Sequence, residues 1–98
     1  MKIPKRIKYG YKNLNVSFIH SSDNQGSSAS YNSWTDKIKI SIDADKAKCH
    51  YTSDLIHELV EAINRRRELN LPHWQIQALA EDITDILVLN KFMETLEP

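Results

Sequence analysis

The hydrophobic period of this 98-residue chain changes once, and that change dictates the class of fold it can adopt. Up to Asp43 the apolar residues alternate with polar ones. Ile7 and Tyr9 share one face; Leu14, Val16 and Phe18 share another, with Asn15 and Ser17 between them. Ile38, Ile40 and Ile42 alternate with Lys37, Lys39, Ser41 and Asp43, the pattern of a strand buried on one side. Gly10 and Asn13 are turn formers, so residues 5–20 are expected to form a hairpin, with Pro4 just ahead of it.

From Asp54 onward the spacing is helical. Leu55, Ile56, Leu59, Val60 and Ile63 supply one apolar face. Ile76, Leu79, Ala80, Ile83 and Leu87 recur at helical intervals and supply a second. Thr52 or Ser53 is expected to cap the first helix, with Asp54 at its positive end. That helix should run to about Leu69, its last turns carrying three arginines that suit the dipole. Asn70-Leu71-Pro72 stops it, Pro72 opens the second, and the second reaches at least Asn90. The expected class is α+β: a small antiparallel sheet of about three strands, then a two-helix hairpin on one sheet face. Residues 1–98 are read as one domain.

Between the strands, residues 21–33 are the most polar stretch, six of the thirteen being serine. A surface loop is the plain reading, with Ala29–Asn32 a short edge strand; a lid or recognition loop is the functional one. Trp34 follows in a turn-like Asn-Ser-Trp-Thr-Asp and is expected to cap a small core.

Thirteen basic and thirteen acidic residues cancel, so no global field points to nucleic acid or a membrane surface. The basic opening (Lys2, Lys5, Arg6, Lys8, Lys12) and the acidic end (Glu81, Asp82, Asp85, Glu94, Glu97) are expected to attract each other. Arg65, Arg66 and Arg67 point three ways around a helix and read as a solvated helix end rather than a nucleic-acid site. With one cysteine, Cys49, there is no intrachain disulfide, and a cytoplasmic location is expected. No apolar run approaches the roughly 20 residues of a membrane helix, and the basic start lacks the apolar region of a signal peptide.

Within the first helix stands His57-Glu58-Leu59-Val60-Glu61, one residue away from the His-Glu-x-x-His of zinc hydrolases. Positions i and i+4 share a helix face, so His57 and Glu61 can hold one ion while Glu58 leans over it. A catalytic zinc site needs a third protein ligand. On the second helix, with Ile76 set at zero, His73 falls near +60°, at the margin of the apolar stripe, at about 100° per residue. Glu81, Asp82 and Asp85 fall on the water side. His73 is therefore the expected third ligand. Cys49 and His50 precede the helix by several residues and would need the chain to fold back; His20 ends a strand and is read as ordinary. The set His57, Glu61 and His73 contains two imidazoles and one carboxylate, the composition of thermolysin-like zinc sites, and Glu58 takes the role of general base. The metzincin pattern is excluded, because Ile63 and Arg67 stand where it needs glycine and histidine.

The order of strands, motif helix and second helix with an inward histidine resembles the small zincin-like proteins of phages and prophages related to the ImmA/IrrE metallopeptidases. The resemblance covers most of the chain: the opening Met1-Lys2-Ile3-Pro4-Lys5-Arg6-Ile7-Lys8, the Lys37-Ile38-Lys39-Ile40-Ser41-Ile42 strand, the motif through Ile63, and Glu68-Leu69-Asn70-Leu71-Pro72-His73. Commoner members carry His-Glu-x-x-His and an acidic ligand at the start of the next helix. Here Glu61 replaces the second histidine and His73 stands about where the acid would be, so the two departures compensate in ligand type and charge. The resemblance implies a Zn²⁺-dependent peptidase acting on a peptide or protein. The rival expectation is a non-catalytic zincin scaffold whose sheet edge and polar loop bind a host or phage protein. A nucleic-acid partner is not expected from the zero net charge, nor is a membrane.

Overall fold

The computed structural model describes residues 1–24, 26–43 and 45–98, the side chain of Ser21 apart. Gln25, in the polar stretch, and Ala44, in the connection to the first helix, lie outside the described residues. Four strands, β1 (Arg6–Tyr9), β2 (Lys12–His20), β3 (Ala29–Asn32) and β4 (Lys37–Ile42), precede two helices, α1 (Lys48–Arg67) and α2 (His73–Leu89). The α+β class read from the change of period is the class observed.

The sheet has one strand more than expected and is mixed. Its order is β1-β2-β4-β3. The β1–β2 hairpin turns through Gly10, whose φ of +63° suits a residue without a Cβ. β3 takes the edge, so β4 comes back between β3 and β2, antiparallel to the first and parallel to the second. Alternation assigns side chains to faces but carries no strand direction, and for that reason the parallel pair was invisible in the sequence. Cross-strand rows sort the faces as far as Ile40; beyond it Ser41 is buried and Ile42, expected on the buried face, is exposed. Val16 lies beside Ile38 and Ile38 beside Tyr31; Phe18 lies beside Ile40 and Ile40 beside Ala29. Those rows face α1. The next rows, Arg6–Asn15–Lys37–Asn32 and Ser17–Lys39–Ser30, face solvent.

The main core joins Leu14, Val16, Ile38 and Ile40 of the sheet to Tyr51, Leu55 and Ala62 of α1. Burying aliphatic side chains of this size stabilises the fold by about 1.5–3 kcal/mol each. Ile3 and Leu96, from the two ends of the chain, close the same core. Among the described residues, only Lys2 of the basic opening meets the acidic end, pairing with Glu97, which Lys48 of α1 also holds; Lys48 first and Lys2 second keep its carboxyl below the ordinary range. The Leu96 N–H donates to Thr52 Oγ1 at 2.8 Å in a buried bond.

Several local expectations change. α1 begins at Lys48 with Ala47 as its N-cap, and no side chain caps it. Thr52, expected as the cap, instead lies buried one turn in, serving the C-terminal tail. α1 ends at Arg67, where Glu68 takes the left-handed conformation, slightly short of Leu69; Pro72 is the N-cap of α2 rather than its first residue. Finally, α2 packs on α1 rather than on the sheet, so only one helix covers the sheet face. That turns its buried stripe to Ile76, Ala80 and Thr84 and leaves Leu79 and Ile83 exposed. Trp34 does not cap the core: it is 90% exposed in the β3–β4 turn.

Candidate metal centre

α1 crosses the sheet with His57 and Glu58 on its buried side, next to β3. One turn later, Glu61 sits at the margin. The His57 Nε2 lies 3.5 Å from Glu61 Oε1, as the i, i+4 spacing requires. The connection after α1 doubles back along the helix, tied by the Leu71 N–H to the Asn64 side-chain oxygen at 2.9 Å. This places the first residue of α2 opposite the middle of α1. His73 Nδ1 thereby comes to 3.9 Å from the same Glu61 oxygen, and its ring centroid to 5.0 Å from that of His57.

One ligand atom from each of His57, Glu61 and His73 lies within 4.8 Å of the others, close enough to hold a metal ion. A tetrahedral ion with bonds of about 2.0–2.2 Å sets its ligands roughly 3.3–3.6 Å apart. The His57–Glu61 pair already has that separation. His73, 3.9 Å from the Glu61 oxygen and within 4.8 Å of the His57 ligand atom, must move inward to complete the set, and its side chain is 77% exposed. The direction deduced for His73 is therefore the observed one, but it stands at the rim and not inside.

Glu58 is buried like His57, with Oε2 3.9 Å from His57 Nε2. Burial, reinforced by the charges of Glu61 and Asp54, pushes its carboxyl up to about 7. A carboxyl poised there can both accept and release a proton near neutrality.

The cleft over these groups encloses about 260 Å³. Ser27, Ser28 and Ala29 form one wall; Asp54, His57 and Glu58 form the floor; His73 and Gln77 form the other rim. The serine-rich stretch thus borders the site, ending in the edge strand β3. A half-buried charge pair fixes that wall: Lys46 Nζ lies 2.6 Å from Asp54 Oδ2 and donates to the carbonyls of Ser28 and Ser41. Ser28 Oγ also donates to Asp54 Oδ2. The sequence marks Asp54 as a helix-end acid. Its position four residues before Glu58, on the same helix face, was the signal that puts it at the site.

The remaining candidates stay apart. Cys49 and His50 sit exposed in the first turn of α1, and His20 is exposed at the end of β2. Glu81, Asp82 and Asp85 face water, as the helical angles required. No helix among the described residues is long and apolar enough to cross a membrane. Set against known protein families, curated proteins and solved structures, the chain matches none.

Proposed function

We propose that this protein is a zinc-dependent peptidase of the small zincin-like type that its sequence resembles. The reading is carried by one observation: a His-Glu-His cluster stands beside a buried carboxyl of raised pKa, in a cleft walled by an edge strand. Two nitrogens and one oxygen suit Zn²⁺ better than Ca²⁺ or Mg²⁺, which take oxygen ligands, and three ligands leave a position open. Zinc, when bound, supplies Lewis acidity, lowering the pKa of a water toward about 7 and polarising a carbonyl.

The chain's own groups account for the rest. His57, Glu61 and His73 hold the ion. Glu58, nearest the cluster and largely dry, takes the proton from the attacking water and delivers it to the leaving amine. Among the described residues no strand pairs with the outer side of β3, so an extended peptide can pair there and lie across the floor of the cleft. The Lys46–Asp54–Ser28 contacts keep that wall at a fixed distance from α1.

The test is hydrolysis of a mixed peptide library by zinc-loaded protein, read by mass spectrometry. Cleavage should fall at least about 100-fold in Glu58→Gln, the upper part of the range for a general acid–base group, while zinc content stays at wild-type level. Cleavage unaffected by Glu58→Gln would remove the assigned chemistry, and no cleavage at all would favour the non-catalytic scaffold.

A further inference from the structure

The net charge of zero conceals a separation of charge by layer. Arg6 and Lys8 on β1 and Lys37 and Lys39 on β4 all point away from α1, on the outer face of the sheet. The positions between and beside them include Asn13, Asn15, Ser17 and Asn32, and no strand places a carboxylate there. The exposed acids of α2 lie two layers away, beyond α1. Lys37 and Lys39 are separated by roughly 6.7 Å along one strand, and Arg6 lies about 9.5 Å from Lys37 across two strand spacings.

One end of this face carries aromatic rings in water. Tyr11, in the β1–β2 turn, is 91% exposed, and Trp34, in the β3–β4 turn, nearly as much. Trp34 stands between two hollows. One, of about 390 Å³, opens to the outer face past Lys37 and Lys39. The other, of about 310 Å³, runs under the end of α1 past Arg65 and Arg66.

Arg66 is held in place: its guanidinium lies 4.5 Å from the Tyr9 ring centroid. It also fills the space beside Gly10, where a Cβ would come within 2.9 Å of Nη1. Among the described residues, neither Arg65 nor Arg66 has a carboxylate partner. Asp36, the carboxylate lining the inner hollow, is engaged by Lys12 at 3.7 Å and by the Tyr31 hydroxyl at 3.4 Å. Oriented cations with unused donors, flanking a bare indole, are what a polyanion with flat bases requires.

We propose that this face and the adjoining end of the sheet bind single-stranded nucleic acid, with phosphates along Arg6, Lys37 and Lys39 on the outer face, a base stacked on Trp34, and a further phosphate at Arg66 in the inner hollow beyond it. The inference is independent of the metal centre, which opens beyond β3 on the α1 side. A single strand is favoured over a duplex because stacking on Trp34 needs a base free of its own stack. An anionic membrane is disfavoured because asparagine and serine, not apolar groups, lie between the cations.

The test uses the full chain with Trp74→Phe, which makes Trp34 the sole tryptophan reporter. An oligothymidylate of about 12 nucleotides, within the usual footprint of such sites, should quench its emission. A duplex of equal length should bind about tenfold or more weakly. With four phosphates engaged, log Kd should rise with log salt with a slope near roughly 3. Lys37→Glu with Lys39→Glu, outside the core, should weaken binding more than about tenfold and flatten that slope. Trp34→Ala, followed by anisotropy of a labelled strand, should lose about 5- to 100-fold with the slope kept. Absence of binding, equal affinity for duplex, or capture by phosphatidylserine vesicles with the oligonucleotide ignored would each overturn the proposal.

Discussion

Zinc should raise the melting temperature of the wild-type protein and leave that of His73→Ala where it was. An ion that binds only the folded chain stabilises it by about 2.7 kcal/mol when free zinc is 100 times Kd. For a chain of this length that is roughly 10–20 °C. His73 isolates the effect because its side chain is mostly exposed and touches little besides the site. Its removal should change the stability of the metal-free protein by no more than about 0.5 kcal/mol, the usual range for a surface position. Substitutions that merely misorient a ligand weaken metal affinity about 10- to 100-fold, so loss of the ligand itself should weaken it by more than about 100-fold. The exchange of ligand types adds a sharper version. Glu61→His combined with His73→Glu keeps two imidazoles and one carboxylate, and should recover much of the zinc response that either change alone removes. A double variant as unresponsive as His73→Ala would mean that the two residues do not share an ion.

With zinc removed by a chelator, Glu58→Gln should be more stable than wild type at pH 8 and indistinguishable from it near pH 4.5. The folded carboxyl, held up by burial and by the neighbouring charges of Glu61 and Asp54, titrates near 7, whereas an exposed glutamate titrates near 4.5. The fold therefore prefers the protonated form. Below the unfolded value both states are protonated and the residue is neutral in effect. As pH rises from about 4.5 to 7, the unfolded chain ionises freely while the folded one resists, and stability falls. Above about 7 the penalty is complete, about 2–3 kcal/mol after allowance for partial water access. Glutamine keeps the shape without the charge and removes the penalty. Urea denaturation of both proteins across this pH range, compared as a difference, isolates the group from every other titration. A constant difference would show that Glu58 ionises in the fold as readily as in water. Zinc beside the carboxylate reverses the local field, so the gap should narrow when the ion is added.

How far the sequence could be read depended on what each pattern encodes. The alternation through Ile38 and Ile40 located strand β4 and its buried face, because period two is itself the geometry of a pleat. It said nothing of direction, so the parallel pairing of β2 with β4 was hidden, as was the place of β4 between β2 and the edge strand Ala29–Asn32. Helical spacing placed His57 with Glu61 without reference to the rest of the fold. It also gave the right quarter of α2 for His73, although the stripe centred on Ile76 assumed that α2 meets the sheet. Because α2 meets α1 alone, Thr84 is buried and Ile83 is not. The start of α1 was missed because Ala47 offers no capping side chain. The role of Asp54 was hidden for a different reason: its partner Lys46 comes from before the helix, and only the folded connection brings them together. Net charge was the least informative quantity, since it averages an acid-free sheet face with an acidic outer helix.

The account rests on His57, Glu61 and His73 sharing one ion. X-ray absorption at the zinc edge, on protein loaded with one equivalent, tests this most directly. The spectrum should show two imidazole ligands completed by oxygen, with no sulfur, and should lose one imidazole in His73→Ala. Zinc that fails to bind, a sulfur ligand from Cys49, or a spectrum unchanged by His73→Ala would contradict it.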